Sequence, residues 1–209
     1  IFGACSTFGE GIQLGSVFID GGAAENVICA ASTHFCSAEK QFRFPLEYGA
    51  QRKVTSQWTV TGAGSAIISK NGQGPYITHI TTGKIVDMGI KDANNMGAAM
   101  APAALSTIRA HMEDLGRKPE DFDLIVTGDL GQLGKEVLMD LARREGIPLG
   151  GRITDGGTLL FDTISQDVHS GGSGCGCSAI TLCGYLLGKL HPGKLKRILF
   201  CGTGALLSP

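Results

Sequence analysis

The sequence lacks both a net charge of either sign and a long hydrophobic run. Its 209 residues carry 18 Lys and Arg against 19 Asp and Glu, a formal net charge of −1 at pH 7. A nucleic-acid interface would show a basic patch or a strongly basic domain, so we expect no nucleic acid among the partners. No apolar run approaches the roughly 20 residues of a membrane-spanning helix. The sequence therefore predicts a globular chain without a transmembrane segment.

The sequence also lacks the cysteine spacings of a disulfide framework or a metal site. Its seven cysteines are an odd number, and several lie in segments that are predicted as helices or strands. We therefore expect free, mostly buried thiols in a reducing, cytosolic compartment. Cys175 and Cys177 form a C-x-C pair with no second pair at a matching distance, so we expect neither a metal nor a cofactor. With no secretory leader and no initiating Met, we expect part of a longer protein.

Glycine, by contrast, is abundant. The 32 glycines are clustered, as in "TGAGSA" (61–66), "GGSGCG" (171–176) and "CGTGALLS" (201–208). Such clusters are typical of turns at which a backbone closely approaches another segment or a ligand.

Hydrophobic periodicity and punctuation predict four helices. The first begins after Cys5, with Thr7 as N-cap and Glu10 completing a capping box. The others are predicted over residues 97–115, 135–146 and 178–193. Pro102 is compatible with the second helix only if it lies in the first turn.

Apolar and β-branched runs predict several strands. They cover residues 26–33, 56–70, 74–86 and 123–129, and the chain closes with a strand, a turn and a strand over 195–208. Gly62–Gly64 mark a bulge or a crossing within 56–70. The mixed order of helices and strands predicts a layered α/β fold with helices on both faces of a sheet.

Several segments resemble the thiolase-like superfamily. They are "GACST" (3–7), "TVTGAGSAIIS" (59–69), "HSGGSGCGCSA" (169–179) and "GTGALLSP" (202–209). Within that superfamily the chain resembles most closely the AD family of stage V sporulation proteins, through "SAEKQFRFPLEYGAQ" (37–51), "MGAAMAPAA" (96–104) and "DLIVTGDLG" (123–131). The resemblance covers nearly the whole chain.

The resemblance implies a mixed, five-layered α/β architecture of two pseudo-symmetric halves, with the first half truncated here. Residues 1–70 would form the end of the N-terminal half, with the cysteine loop, a helix, two strands and a long insertion at 34–57. Residues 71–209 would form the C-terminal half.

The resemblance also implies a function. Such proteins bind dipicolinic acid (pyridine-2,6-dicarboxylic acid) and support its uptake into the developing spore, alongside membrane proteins of the same uptake system. It implies a peripheral location at the cytoplasmic face of the spore inner membrane, and it allows a homodimer.

Cys5 is a candidate nucleophile as well as a candidate pocket residue. Just before a helix start, orphan N–H groups and the helix dipole favour a thiolate, which condensing enzymes and thiolases use to form an acyl thioester. Those enzymes also need two histidines, or a histidine and an asparagine. Here Asp129 follows the central strand and would disfavour a thiolate. His169 and Cys201 lie in contexts that match the superfamily poorly, so no complete catalytic set is predicted.

The binding hypothesis places two helix starts, one after Cys5 and one after the 171–174 turn, at a shared anion site. The candidate ligand-binding residues are Cys5, His34, Arg43, Asp129, Gly172, Ser173, Gly174 and Thr203. Arg43 is the candidate cation because its fork suits a carboxylate. Phe42 and Phe44 are a candidate apolar wall.

Structural roles stay open for the same residues. Cys5 is equally compatible with a small core residue at a tight turn, and His34 with a loop position. Arg43 could form a surface ion pair, and Asp129 could cap the following helix. Three functions are therefore considered: a non-catalytic binder of dipicolinic acid, a condensing enzyme with Cys5 as nucleophile, and an assembly subunit that docks to membrane partners through residues 34–57.

Overall fold

The structure is a computed structural model that describes residues 2–42 and 52–206, with only the backbone described for residues 39–42. The α-helices of the described part are α1 (Thr7–Asp20), α2 (Phe35–Phe42), α3 (Met96–Leu115), α4 (Gly131–Arg144), α5 (Gly156–Leu160), α6 (Cys175–Ile180) and α7 (Leu187–Leu190). A π-helical segment, Thr181–Leu186, joins α6 to α7, so the helix predicted over 178–193 is confirmed with an earlier start.

The strands form three small sheets. They are β1 (Asn26–Thr33), β2 (Trp58–Thr59), β3 (Gly62–Ser69), β4 (Leu124–Thr127), β5 (Ile153–Asp155), β6 (Gly172–Ser173) and β7 (Ile198–Cys201). β1 and β3 pair antiparallel, and β2 and β6 pair parallel. β4 lies between β5 and β7 in a parallel sheet.

The β5–β4–β7 sheet has helices on both faces, as predicted. Ile125 of β4 packs in the cluster that holds Met100 of α3 and Leu138 of α4. The next residue, Val126, points to the opposite face, because successive strand side chains alternate. It packs in the cluster that holds Phe8 of α1 and Leu186. This second cluster extends to β1, so α1 and α6 lie between the β1–β3 pair and the β5–β4–β7 sheet.

The β1–β3 pair has one covered and one exposed face. Gly64 lies so close to α6 that an added Cβ would be 2.5 Å from the Ala179 carbonyl oxygen, which confirms the predicted glycine-marked crossing. On the other face, Ile28 and Ile67 stand opposite each other and are 72% and 70% exposed. These elements thus form four layers, with the β1–β3 pair as one outer layer and α3 and α4 as the other.

The predicted capping box at the start of α1 is wrong. Ser6 is the N-cap and Thr7 the first helical residue. The Thr7 hydroxyl donates to the Ala4 carbonyl at 2.6 Å, and the Ser6 hydroxyl donates to the Glu10 carboxylate at 2.6 Å. A tight turn, in which Ala4 has a φ of 51°, engages both hydroxyls before the helix begins.

The strand predicted over 74–86 is also wrong. Residues 75–92 run as irregular chain. Tyr76 and Ile85 are 76% and 98% exposed, so the β-branched residues here have no sheet surface to cover. The closing segment forms β7, but residues 202–206 contain no second strand.

Pro102 does not lie in the first turn of its helix, contrary to the prediction. It is the seventh residue of α3, inside the second turn. Proline removes the N–H that would donate to the carbonyl four residues earlier, that of Ala98. The start of α3 is instead secured by the Asn95 side chain, which accepts from the Ala98 N–H at 3.3 Å.

Gly97 sets the distance between α3 and α4, and Gly97→Ala is expected to destabilise the fold. An added Cβ would lie 2.3 Å from the Leu130 carbonyl oxygen and 3.0 Å from the Gly134 Cα. We expect the free energy of unfolding to fall by about 2 kcal/mol, because the clash is with backbone. Gly188→Ala is the matched control, since a Cβ there meets nothing within 4 Å and alanine favours a helix by about 0.5–1 kcal/mol. Urea unfolding of both variants checks the sign; a stable Gly97→Ala variant would contradict the close packing.

Candidate functional site

The loops that carry the candidate residues meet at one edge of the β5–β4–β7 sheet. Thr127 of β4 and Cys201 of β7 are paired in register, and Asp129 and Thr203 follow them by two residues each. Parallel strands end at the same edge of a sheet, which brings these two side chains together with the loops around them. The turn after β7 also packs on the cysteine loop: a Cβ on Gly204 would lie 2.3 Å from a carbonyl oxygen of that loop.

The two predicted helix starts converge. Cys5 is 8% exposed, and its Sγ lies 3.7 Å from the Ser173 Oγ. The Cys175 thiol, at the start of α6, donates to the Ala4 carbonyl at 3.0 Å. The cysteine loop and the glycine-rich turn therefore form one continuous cluster.

Asp129 lies at the centre of this cluster. Its Oδ2 accepts hydrogen bonds from the Ser173 hydroxyl at 2.6 Å and from the Gly174 N–H at 2.9 Å. It does not cap α4, because Asp155 at the end of β5 accepts from the N–H groups of Leu130 and Gly131 instead. The capping alternative for Asp129 is therefore wrong.

The Asp129 carboxyl is fully buried and only partly hydrogen-bonded. Burial raises its pKa to about 7, although donors on Ser173, Gly174 and Cys5 oppose the rise. The Cys5 thiol is near enough to favour the charged form, but Oδ1 receives no hydrogen bond of ordinary geometry from any described residue. Near neutral pH, Asp129 therefore exists as a mixture of carboxylic acid and carboxylate.

The backbone donors at both helix starts are largely occupied. The Ser6 N–H donates to the Gly3 carbonyl at 3.0 Å, and the Thr7 N–H donates to the Ala4 carbonyl at 3.2 Å. At α6, the Gly174 N–H donates to Asp129, and the Gly176 N–H donates to the Thr33 hydroxyl. A ligand in this cluster would therefore meet side-chain groups first, which differs from the backbone anion site that the sequence predicts.

Thr203 belongs to the same cluster, and Ser178 joins it. Both side chains are buried, and neither hydroxyl oxygen has a hydrogen-bond partner in the described part of the chain. A Cβ on Gly128 would lie 3.4 Å from the Thr203 nitrogen and 3.6 Å from the Ser178 Cβ, so both residues border Gly128. Ser178 carried no sequence signal beyond its place after the C-x-C pair.

The structure does not show the remaining predicted ligand-binding residues, His34, Arg43 and Gly172, in contact with Asp129. His34 is exposed, and its side chain forms no hydrogen bond within the described residues. Arg43 and Phe44 lie outside the described residues, as does the side chain of Phe42. Gly172 is buried against Val60 and Phe161, and a Cβ there would lie 2.8 Å from the Val60 side chain.

Arg52 and Gln57 are neighbours of the site that sequence reasoning missed. The Gln57 amide donates to the backbone oxygens of Asp129 at 2.7 Å and Gly172 at 3.0 Å. The Arg52 guanidinium donates to the Gln57 carbonyl at 2.5 Å and lies 4.4 Å above the Trp58 ring.

An aromatic stack lies beside this pair. Trp58 stacks on Phe35 with ring centroids 4.6 Å apart. Because β2 pairs with β6, Trp58 is in register with Gly172 and Thr59 with Ser173. A cation and two aromatic faces therefore lie one strand away from the cluster.

Two histidines form their contacts away from Asp129 and Ser173. Across residues 2–42 and 52–206, no histidine hydrogen-bonds to Asp129 or Ser173. His111 pairs with Thr81 at 2.8 Å, and His169 pairs with Asp167 at 3.6 Å. Burial raises the pKa of the Cys201 thiol to about 12, so this second cysteine is not primed as a thiolate.

Comparison with known proteins identifies the family. Residues 1–209 match the family model described as Stage V sporulation protein AD (SpoVAD). The chain belongs to the SpoVAD family. The Stage V sporulation protein AD of Bacillus subtilis (strain 168) is 46% identical over 209 residues, which are 100% of this chain and 62% of that relative. The chain thus spans less than two thirds of the length of this SpoVAD relative.

Solved structures confirm the thiolase-like α/β fold of this SpoVAD-family chain. The 3-oxoacyl-[acyl-carrier-protein] synthase III from Aquifex aeolicus VF5 has a TM-score of 0.59 at 16% identity, over 98% of this chain and 62% of that one. The tetronic acid condensing enzyme AbyA1 has a TM-score of 0.63 at 13% identity, over 95% and 62%. At such identities the likeness shows the fold alone, and the division into halves at residue 70 stays a prediction.

No helix in the described part of the chain is at once long enough and apolar enough to cross a membrane.

Proposed function

We propose that this SpoVAD-family chain forms part of a site that binds dipicolinic acid and supports its uptake into the developing spore, without catalysing a condensation. The observation that supports the proposal is the surroundings of Cys5. The thiol faces the Ser173 hydroxyl and the buried Asp129 carboxyl, where a condensing enzyme needs imidazoles.

The ligand chemistry fits the groups around the cluster. Dipicolinic acid is a flat aromatic ring with two carboxylates, so it needs hydroxyl donors, a cation and an aromatic or apolar face. Thr203 would supply a hydroxyl donor, and Ser173, whose own proton goes to Asp129, would hold that carboxyl in place. Arg52 would supply the cation, and the outer side of Phe35 in the Phe35–Trp58 stack would supply the flat face.

The proposal extends to the cellular setting. The protein would act peripherally at the cytoplasmic face of the spore inner membrane, with membrane proteins of the same uptake system, and a homodimer is compatible with it. These features rest on SpoVAD membership, and the part of the family beyond the 62% spanned here would contribute to them.

Calorimetric titration of the complete protein with dipicolinate tests the proposal, with benzoate as the control ligand. We expect saturable binding of dipicolinate and much weaker binding of benzoate, which has one carboxylate. Ser173→Ala should raise the Kd by about tenfold or more, because the buried Asp129 carboxyl beside the ligand loses the hydroxyl donor that holds it in place. Ser165→Ala is the matched control, because the Ser165 hydroxyl donates to the exposed Asp162. Absence of dipicolinate binding, or equal binding of benzoate, would refute the proposal.

A condensing or acyl-transfer enzyme is the second candidate. Cys5 precedes the start of α1, and the two solved structures with this fold are named as a synthase and a condensing enzyme. Incubation with acyl-CoA followed by intact-mass measurement would reveal an acyl adduct that Cys5→Ala abolishes. If neither dipicolinate binding nor an adduct is found and membrane partners still bind, the assembly role through residues 34–57 is favoured.

A further inference from the structure

We infer that Asp129 works in the site as a neutral carboxylic acid, donating its proton from Oδ1 to a carboxylate of the ligand, so that binding depends on protonation. This inference rests on the proposed function and adds its regulation. It comes from the unequal surroundings of the two carboxyl oxygens.

The hydrogen bonds of Asp129 leave one place for a proton. Oδ2 already accepts from the Ser173 hydroxyl and the Gly174 N–H, which fills its two acceptor positions. Oδ1 is buried and has no partner of ordinary geometry in the described part of the chain. A buried carboxylate oxygen without a donor is costly, whereas a protonated Oδ1 carries a donor that a ligand oxygen could accept.

Burial and the nearby Asp155 carboxyl together outweigh the donors that favour an ionised Asp129. Within the described residues, the titratable or charged groups on the surrounding elements are Cys5 before α1, Asp155 at the end of β5, Cys175 and Cys177 on α6, and Arg52 behind Gln57. Burial raises the pKa of Asp129 to about 7 and the Asp155 carboxyl adds to the rise, against the donors on Ser173, Gly174 and Cys5. Arg52 donates to the Gln57 carbonyl, so Gln57 separates it from Asp129.

The ligand determines why the proton matters. The carboxylates of dipicolinate stay ionised at neutral and alkaline pH. An ionised Asp129 would repel them, whereas the acid would donate a strong, charge-assisted hydrogen bond. Above neutral pH, binding would therefore transfer one proton from solvent to Asp129, while the ligand keeps its charge.

Titration of the complete protein with dipicolinate from about pH 6 to pH 9, in two buffers of different ionisation enthalpy, tests this inference. As the free carboxyl ionises, the Kd should rise, by roughly 50-fold between pH 7 and pH 9. The buffer dependence of the heat should show uptake of up to one proton per ligand bound at the alkaline end.

Asp129→Asn is the decisive variant, since asparagine has the shape of the protonated acid. Its oxygen can accept from Ser173 and Gly174, and its NH₂ group occupies the Oδ1 position as a permanent donor. We expect binding within a few-fold of the wild type at pH 6, with the pH dependence lost. Cys5→Ser should keep the slope, which separates Asp129 from the thiol.

The possible results distinguish failure of this inference from failure of the proposed function. A pH-independent Kd in the wild type, a slope that survives Asp129→Asn, or a folded Asp129→Asn protein that no longer binds would each overturn the inference and leave the proposed function standing. Circular dichroism shows whether the variant is folded. If the wild type binds no dipicolinate at any pH, the proposed function fails and this inference falls with it.

Discussion

Asp155→Asn is expected to lower the free energy of unfolding by about 4 kcal/mol. Asp155 is buried, and each of its carboxylate oxygens accepts two hydrogen bonds. Oδ2 accepts from the Thr127 hydroxyl at 2.8 Å and the Leu130 N–H at 2.7 Å, and Oδ1 accepts from the N–H groups of Gly131 at 2.9 Å and Thr158 at 3.2 Å. An NH₂ group at either position would face a backbone donor and leave it buried without a partner.

The same carboxylate ties β4, α4 and α5 together, so its loss should be felt globally. Urea unfolding measures the change, and the melting temperature should fall by roughly 10 °C. Asp162→Asn is the matched control: Asp162 also accepts backbone hydrogen bonds, from Ile164 and Ser165, but it is exposed. An Asp155→Asn protein as stable as the wild type would show that the hydrogen bonds to this carboxylate are not needed for stability.

Asp129→Asn, unlike Asp155→Asn, is expected to raise the free energy of unfolding at alkaline pH. The pKa of Asp129 is raised from 3.8 to about 7 by burial. Its neutral form therefore stabilises the folded state fully below about pH 4, and that contribution is lost as the pH rises through 7. Three pKa units correspond to about 4 kcal/mol, which relaxation and water entry would reduce.

The measurement is a double difference. The stability gained by Asp129→Asn over the wild type should be larger at pH 8 than at pH 4, by about 3 kcal/mol. Comparing variant and wild type at each pH cancels the other titrating groups. A gain that does not change with pH would mean that Asp129 keeps an ordinary pKa in the folded protein.

These two aspartates also show what the sequence could and could not reveal. Both follow a buried strand, Asp129 after β4 and Asp155 at the end of β5, and both positions suggest a helix cap. Sequence reasoning considered Asp129 as the cap of α4, whereas Asp155 from the neighbouring strand performs that task. The choice depends on strand order, which local pattern does not encode.

Strong local patterns predicted the elements well. β1, β4 and α3 appear where apolar periodicity placed them, and the helix predicted over 178–193 begins three residues earlier, at Cys175. The strand predicted over 74–86 is absent, because β-branched residues form a strand only if a neighbouring strand is available to pair with. The meeting of the cysteine loop with the 171–174 turn was predicted by the binding hypothesis, which placed both helix starts at one anion site.

The Arg52, Gln57 and Trp58 group could not be predicted, because its members act through contacts made after folding. Gln57 reaches residues 72 and 115 positions away, at Asp129 and Gly172. Arg52 is held in the same segment by its hydrogen bond to the Gln57 backbone carbonyl. No spacing rule links such distant positions, so only the structure shows that a cation and a tryptophan lie beside the cluster.

The exposed face of the β1–β3 pair affects how stability should be measured. Ile28 and Ile67 present adjacent apolar side chains to water, and extrinsic dyes that brighten in apolar surroundings bind such surface. A dye-based thermal scan would therefore start from a bright native baseline and understate the transition. The intrinsic emission of Trp58, the single tryptophan of the chain, is the better reporter, because unfolding separates it from Phe35 and Arg52.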